Sequence, residues 1–173
     1  MYNEMDGGNM THFKKITEED IKELVPFAEK IWKEHYYTCV DKGLTDHVFE
    51  LFLSETAVKQ QLNEGSRYYY VYTDESDDRA GYFSFYPKDG RMFLSKIYLK
   101  KEFRGKGLSA DVLEFIKSEA KKEDLHEIFL HVNRDNTGSI EAYKHLGFYV
   151  EEEIDTDMGD GFVSRDYVMG MQI

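Results

Sequence analysis

The 173-residue sequence predicts an α/β (α+β) fold with a central sheet of about six to seven strands flanked by helices, an expectation carried by three features. RYYYVYT (67–73), AGYFSFYP (80–87) and MFLSKIYL (92–99) follow one another as runs rich in aromatic and β-forming residues. Helical periodicity flanks them, in Ile21, Leu24, Val25, Ala28, Ile31 and Trp32 before, and in Leu108, Val112, Leu113, Phe115 and Ile116 after. A basic glycine turn, RGKG at 104–107, joins the third run to the later helix.

In chain order, THFKKIT (11–17) is a first strand. Thr17 caps the next helix, with Glu18, Glu19 and Asp20 in its first turn beside the positive end of the dipole. Pro26 falls inside that helical pattern, so the helix either starts just before it or bends there. DHVFELFLS and ETAVKQQLNEG supply further helical turns ending at Gly65. The acidic loop DESDD makes a hairpin of the first two aromatic runs, and KDG turns into the third. LSADVLEFIKSEAKK is a helix beginning where RGKG ends, HEIFLHV a short buried strand, and TGSIEAYKHLGF a helix closed by Gly147. FYVEEEID and GFVSRDYVM pair across MGDG. With no internal repeat or Pro/Ser-rich linker, residues 1–173 are expected to form one domain, with 1–10 a flexible N-terminal segment.

Composition narrows the function. The charge is −12, from 34 acidic against 22 basic residues, so nucleic acid is excluded as the expected partner because phosphate binding needs a basic surface. An acidic surface serves solubility, and it also attracts cationic small molecules. Cys39 is the single cysteine, which excludes an internal disulfide framework, and it is expected to be a small packing side chain. His35 and His47 have no third ligand at metal spacing, so no metal is expected. The N-terminus lacks a basic start followed by an apolar core and no run approaches bilayer length, so a cytoplasmic protein without membrane contact is expected, and a homodimer is compatible with the sequence.

The RGKG turn presents backbone N–H groups at the start of a helix, where an anion such as a pyrophosphate fits; a plain tight turn from strand to helix satisfies the same four residues. The spacing excludes a P-loop, and the third glycine of a dinucleotide fingerprint is missing.

Taken together with NRDNTGSIEAYKHLGF downstream, this segment resembles the GCN5-related N-acetyltransferases (GNAT). The family pattern Q/R-x-x-G-x-G/A matches Arg104, Gly107 and Ser109, with serine in the last place, and N-x-x-(S/A)-x-x-x-Y-x-x-x-GF matches the region from Asn136 through Tyr143 to Phe148. The resemblance spans about residues 11–172. It implies a mixed, mostly antiparallel sheet and direct transfer of acetyl from acetyl-CoA to a primary amine. Backbone groups of Ile97, Tyr98 and Leu99 would meet the pantetheine, the turn and helix start from Arg104 and Gly105 through Lys106, Gly107, Leu108 and Ser109 to Ala110 would hold the pyrophosphate, and Asn136 would hydrogen-bond the pantetheine arm. Tyr143, seven residues after Asn136, would protonate the departing thiolate; a core aromatic is its plain alternative.

Relatives often keep an acid on the strand before the turn, where this chain has Phe93 and Ser95. His131, twelve residues before Tyr143, stands where N-terminal acetyltransferases can carry a glutamate, and it is either the base or a hydrogen-bonded strand histidine. Glu34, His35, Tyr36 and Tyr37 fall in the region that covers the acceptor entrance in this family and would contact the amine. The expected acceptor is a polyamine or other small cationic amine in a carboxylate-lined channel. A protein N-terminus or lysine is the rival acceptor, and a non-catalytic acetyl-CoA-binding module the third reading.

Overall fold

The computed structural model describes residues 10–74 and 76–173. Most of the N-terminal segment expected to be flexible, and Glu75 in the acidic loop, lie outside the described residues. The elements are β1 (Thr11–Lys15), α1 (Ile21–Tyr36), α2 (Lys42–Leu53), α3 (Glu55–Asn63), β2 (Arg67–Thr73), β3 (Ser76–Lys88), β4 (Arg91–Leu99), α4 (Leu108–Lys122), β5 (Glu127–Asn133), α5 (Thr137–His145), β6 (Tyr149–Gly159) and β7 (Phe162–Gln172).

The acidic run after Thr17 forms a short 3₁₀ turn, Glu18–Asp20, whose capping box closes with the Asp20 carboxylate on the Thr17 backbone N–H. Helix α1 follows and runs unbroken through Pro26. Pro26 and Lys22 both lie on the exposed face, so the Lys22 carbonyl that proline leaves without a helical partner meets water.

The seven strands form one sheet in the order β1-β2-β3-β4-β5-β7-β6. Every pair is antiparallel except β4 with β5. Because β2, β3 and β4 are covered on both faces, their sequences read as continuous aromatic and apolar runs. On one side, Phe83, Phe85, Met92 and Leu94 pack with Val112, Leu113 and Ile116 of α4. On the other, Tyr68, Tyr70 and Tyr82 pack with Leu24, Ala28, Ile31 and Trp32 of α1 and with Phe49, Leu53 and Val58.

Two irregularities in β4 make room for a site. Its parallel pairing with β5 covers only Met92 with Ile128 and Phe93 with Phe129, after which the strands part. Its pairing with β3 shifts register so that Leu94 faces Phe85 and Lys96 faces Ser84, leaving Ser95 as the extra residue of a bulge. The bulge reverses the alternation. Met92 and Leu94 point to the α4 side, whereas Lys96 and Tyr98 point to the α1 side.

Candidate active site

Two cavities open on either side of the divergent part of β4. The first, about 520 Å³, lies between β4, β5, the RGKG turn and α5; Leu94–Leu99, Arg104, Gly105, Gly107–Ala110, Asn136 and Tyr143 line it. The second, about 670 Å³, lies under α1–α3 and the β6–β7 hairpin. Tyr36, Ser95, Lys96, Tyr98 and His131 line both, so the two spaces share a wall.

The turn in the first cavity has the form an anion site requires. Gly105 and Gly107 have φ of +72° and +85°, a region costly for residues with a Cβ. Neither site is crowded within the chain, so backbone conformation alone demands glycine there. The Ala110 and Asp111 N–H groups close on the Gly107 carbonyl at 3.0 and 3.2 Å, which leaves Leu108 and Ser109 as first-turn N–H groups outside the helical ladder. Arg104 donates from Nε to the Leu99 carbonyl at 3.0 Å and so holds the turn against the end of β4. Lys106 lines neither cavity; its ammonium lies 5.7 Å from the Phe103 ring centre.

Asn136 is almost wholly buried and caps α5, its Oδ1 accepting from the Ser139 N–H at 3.4 Å. The same oxygen accepts from His35 Nε2 at 3.1 Å, tying the end of α1 to the start of α5. Burial holds His35 below the ordinary imidazole pKa, with Asn136 pulling the other way and Arg104 adding to the depression. A neutral ring donating from Nε2 satisfies both observations.

Tyr143 lines the first cavity with its ring edge-on to Phe148 at 5.8 Å, and burial raises its hydroxyl well above the ordinary phenol value. Its hydroxyl therefore keeps its proton at neutral pH, as a donor must. The Tyr36 and Tyr98 hydroxyls pair at 3.1 Å in the shared wall, and burial pushes Tyr36 up to about 12.

His131 stands on the open face of β5 with its ring 5.2 Å from that of Phe93. Burial lowers its pKa, opposed by the negative charge of Asp166. Of the four residues at and just past the end of α1 expected at the acceptor, His35 and Tyr36 face the site. Glu34 and Tyr37 line neither cavity, and the Tyr37 hydroxyl instead donates to Asp46. The helical turn explains the split: Trp32, His35 and Tyr36 are one stripe, which places Glu34 and Tyr37 on the opposite side. His47 serves the fold, with Nε2 2.6 Å from the Met158 carbonyl and its ring stacked on Phe162, which pins α2 to the β6–β7 hairpin. Cys39 is half-buried, and burial raises its thiol pKa.

Two buried charged residues in the second cavity were not among the expected site residues. Lys96 is 6% exposed, donates to Gln61 Oε1 at 2.8 Å and to Ser95 Oγ at 3.2 Å, and burial alone brings its pKa down to about 7. Asp166 on β7 is 8% exposed and accepts from Ser164 Oγ at 2.9 Å; burial raises its carboxyl pKa, opposed by that bond and by His131 and Arg134. Alternation along SRDYVM could have flagged Asp166 as an inward carboxylate, whereas Lys96 changes face only through the bulge. The cavity is otherwise lined largely by apolar groups, and its carboxylates are Asp166 and Glu64, so the −12 charge is spread mainly over the surface and does not make a carboxylate-lined channel.

Among the described residues, no group of three or more His, Cys, Asp or Glu side chains is placed to hold a metal ion, and no helix is long and apolar enough to cross a membrane.

Residues 25–148 match the family model described as the acetyltransferase (GNAT) family. The chain is 24% identical over 159 residues to a spermidine N(1)-acetyltransferase of Thermoplasma acidophilum, covering 89% of this chain and 96% of the relative. The crystal structure of PaiA N-acetyltransferase from Thermoplasma acidophilum in complex with coenzyme A superposes with a TM-score of 0.75 at 21% identity, over 95% of this chain and 99% of that one. A GCN5-related N-acetyltransferase from Rhodopseudomonas palustris superposes with a TM-score of 0.77 at 8% identity, over 99% and 100% of the two chains. At these identities the structural likenesses show the fold.

Proposed function

The chain belongs to the GNAT family of acetyltransferases, an acyltransferase by that membership, and from this premise we propose that it moves acetyl from acetyl-CoA to a primary amine of a small cationic molecule, a polyamine above all. The observation that carries the reading is the shared wall: one cavity with a glycine turn and a helix start suited to a pyrophosphate, a second with buried polar groups, and Tyr36, Ser95, Lys96, Tyr98 and His131 between them.

In this reading the pyrophosphate lies on the N–H groups from Gly105 to Ser109, with Ala110 lining the same space, and the pantetheine runs along Ile97, Tyr98 and Leu99, whose strand has no β5 partner past Phe93. Arg104 orders the turn, and Asn136, fixed by His35 and Ser139, offers its amide N–H groups to the pantetheine. The amine attacks the thioester carbonyl from the second cavity. Tyr143 gives its proton to the departing thiolate, and His131 takes the proton of the attacking amine, directly or through water. Tyr36 and His35 close the wall over the reacting groups. The side chains of Glu34, Tyr37 and Lys106 have no part in this reading.

The similarity to a protein named spermidine N(1)-acetyltransferase supports the polyamine acceptor, as does the acidic surface, which concentrates cations around the molecule. Coenzyme A release, followed with a thiol reagent, tests the reading with spermidine, a lysine-bearing peptide and an N-terminal peptide at two salt concentrations. Spermidine is expected to be the best acceptor, with kcat/KM falling as salt rises, since charge steering is screened over roughly 8 Å at physiological ionic strength. A peptide that outpaces spermidine by about tenfold would establish protein acetylation instead.

A further inference from the structure

Asp166 is a buried carboxylate with one hydrogen bond, from Ser164, and no salt-bridge partner among the described residues. The nearby Arg134 is already engaged by Glu153 and Asp155. A carboxylate buried in this condition is costly as an anion, a cost relieved by a proton or by a cation brought to it. The second cavity, which Asp166 and Ser164 line, gives such a cation its way in.

Position within the cavity indicates which charge. Asp166 does not line the shared wall, where an amine would meet the thioester. In the β5–β7 register His131 lies opposite Val168 and Asn133 opposite Asp166, so His131 and Asp166 project from the same face as diagonal neighbours, about 7–8 Å apart. A carboxylate touching the reacting nitrogen would favour its ammonium form and slow attack. One set back from the wall exerts that effect more weakly, and a short methylene chain spans the gap.

We propose that Asp166 receives the second, non-reacting ammonium of an acceptor that carries at least two amino groups. The proposal rests on the acetyltransferase reading above and narrows its acceptor from cationic amines in general to diamines and polyamines. The rest of the cavity agrees with it. Apolar groups of Val48, Leu53, Phe93 and Met158 suit the methylenes between nitrogens. Glu64, the other carboxylate, sits at the exposed end of α3 and is held by Gln60 Nε2 at 2.8 Å. Lys96, the cavity's lysine, is held by burial at a pKa near 7 and so opposes a bound cation less than an ordinary lysine would.

The test compares putrescine with butylamine, which share a carbon chain and differ by one amino group. In the wild-type protein kcat/KM for putrescine should exceed that for butylamine by roughly tenfold or more, mainly through KM, the size expected of one charge-assisted hydrogen bond. Asp166→Asn keeps the side chain's shape and is expected to collapse that ratio toward one. Calorimetry should find its acetyl-CoA affinity within about twofold of wild type, reporting an intact fold. Asp166→Glu, which keeps the charge, should restore part of the preference. A wild-type protein that acetylates both amines equally, an Asp166→Asn variant that keeps the preference, or its loss in Glu64→Gln alone would each overturn the assignment and leave the acetyltransferase reading standing. No coenzyme A release with any amine would overturn both.

Discussion

Replacing Lys96 with methionine should stabilise the protein, and by more at neutral than at alkaline pH. Lys96 is buried between Tyr68 of β2, Ser84 of β3 and Gln61 of α3, with its ammonium 5.2 Å from the Tyr68 ring centre. His131, Glu64 and Asp166 line the same cavity, but Lys96 has no salt bridge to a carboxylate among the described residues, and desolvation brings its pKa from 10.5 to about 7. For a base whose folded pKa lies below its unfolded one, folding opposes the charge. The penalty is complete below the folded value, shrinks as pH rises and vanishes above the unfolded value. With these two values, linkage gives a penalty of about 4 kcal/mol near pH 7.5 and about 1.4 kcal/mol near pH 9.5. Methionine has a similar length, fills the space and removes the titration. Its loss of the Gln61 and Ser95 hydrogen bonds shifts both pH values alike. Urea unfolding of wild type and Lys96→Met at about pH 7.5 and pH 9.5 should therefore show a stability gap larger by about 2.5 kcal/mol at the lower pH. A change below about 1 kcal/mol would show that Lys96 is charged in the fold and that an unrecognised partner compensates it.

Gly107→Glu should abolish acetyl-CoA binding in calorimetry, because φ of +85° disfavours a side chain and a carboxylate repels a pyrophosphate; unchanged affinity would refute the turn as its site. Tyr143→Phe should lower kcat by roughly 10²-fold with acetyl-CoA affinity little changed, and a loss below about threefold would show that the hydroxyl is not the proton donor. If His131 takes the amine's proton it must be neutral to work, and burial places its pKa below 6.5, so the rate should fall with acidity only beneath that value. His131→Ala should remove that limb from the pH–rate profile, and a profile of unchanged shape would assign the limb elsewhere.

Local chemistry fixed much of this in advance. RYYYVYT, AGYFSFYP and MFLSKIYL become β2, β3 and β4 because aromatic and β-branched side chains pack on both faces of a buried sheet. The glycines of RGKG announce positive φ before a helix, and Asn136 and Tyr143 line one cavity because seven residues is nearly two helical turns. These are properties of short windows, and a sequence displays them directly. Helical phase was equally legible in principle, and it is what separates His35 and Tyr36 from Glu34 and Tyr37. The tertiary structure decided what depends on partners far along the chain. The bulge at Ser95 exists only in the pairing of β4 with β3, and it alone turns Lys96 into the second cavity, where burial removes most of its preference for charge. Asp166 meets His131 only across the β5–β7 ladder. The total of −12 counts charges without placing them; the fold spreads most over the surface and leaves two carboxylates lining the second cavity. Burial and the direction of a side chain are set by what the rest of the chain puts beside it, and no window of adjacent residues contains that information.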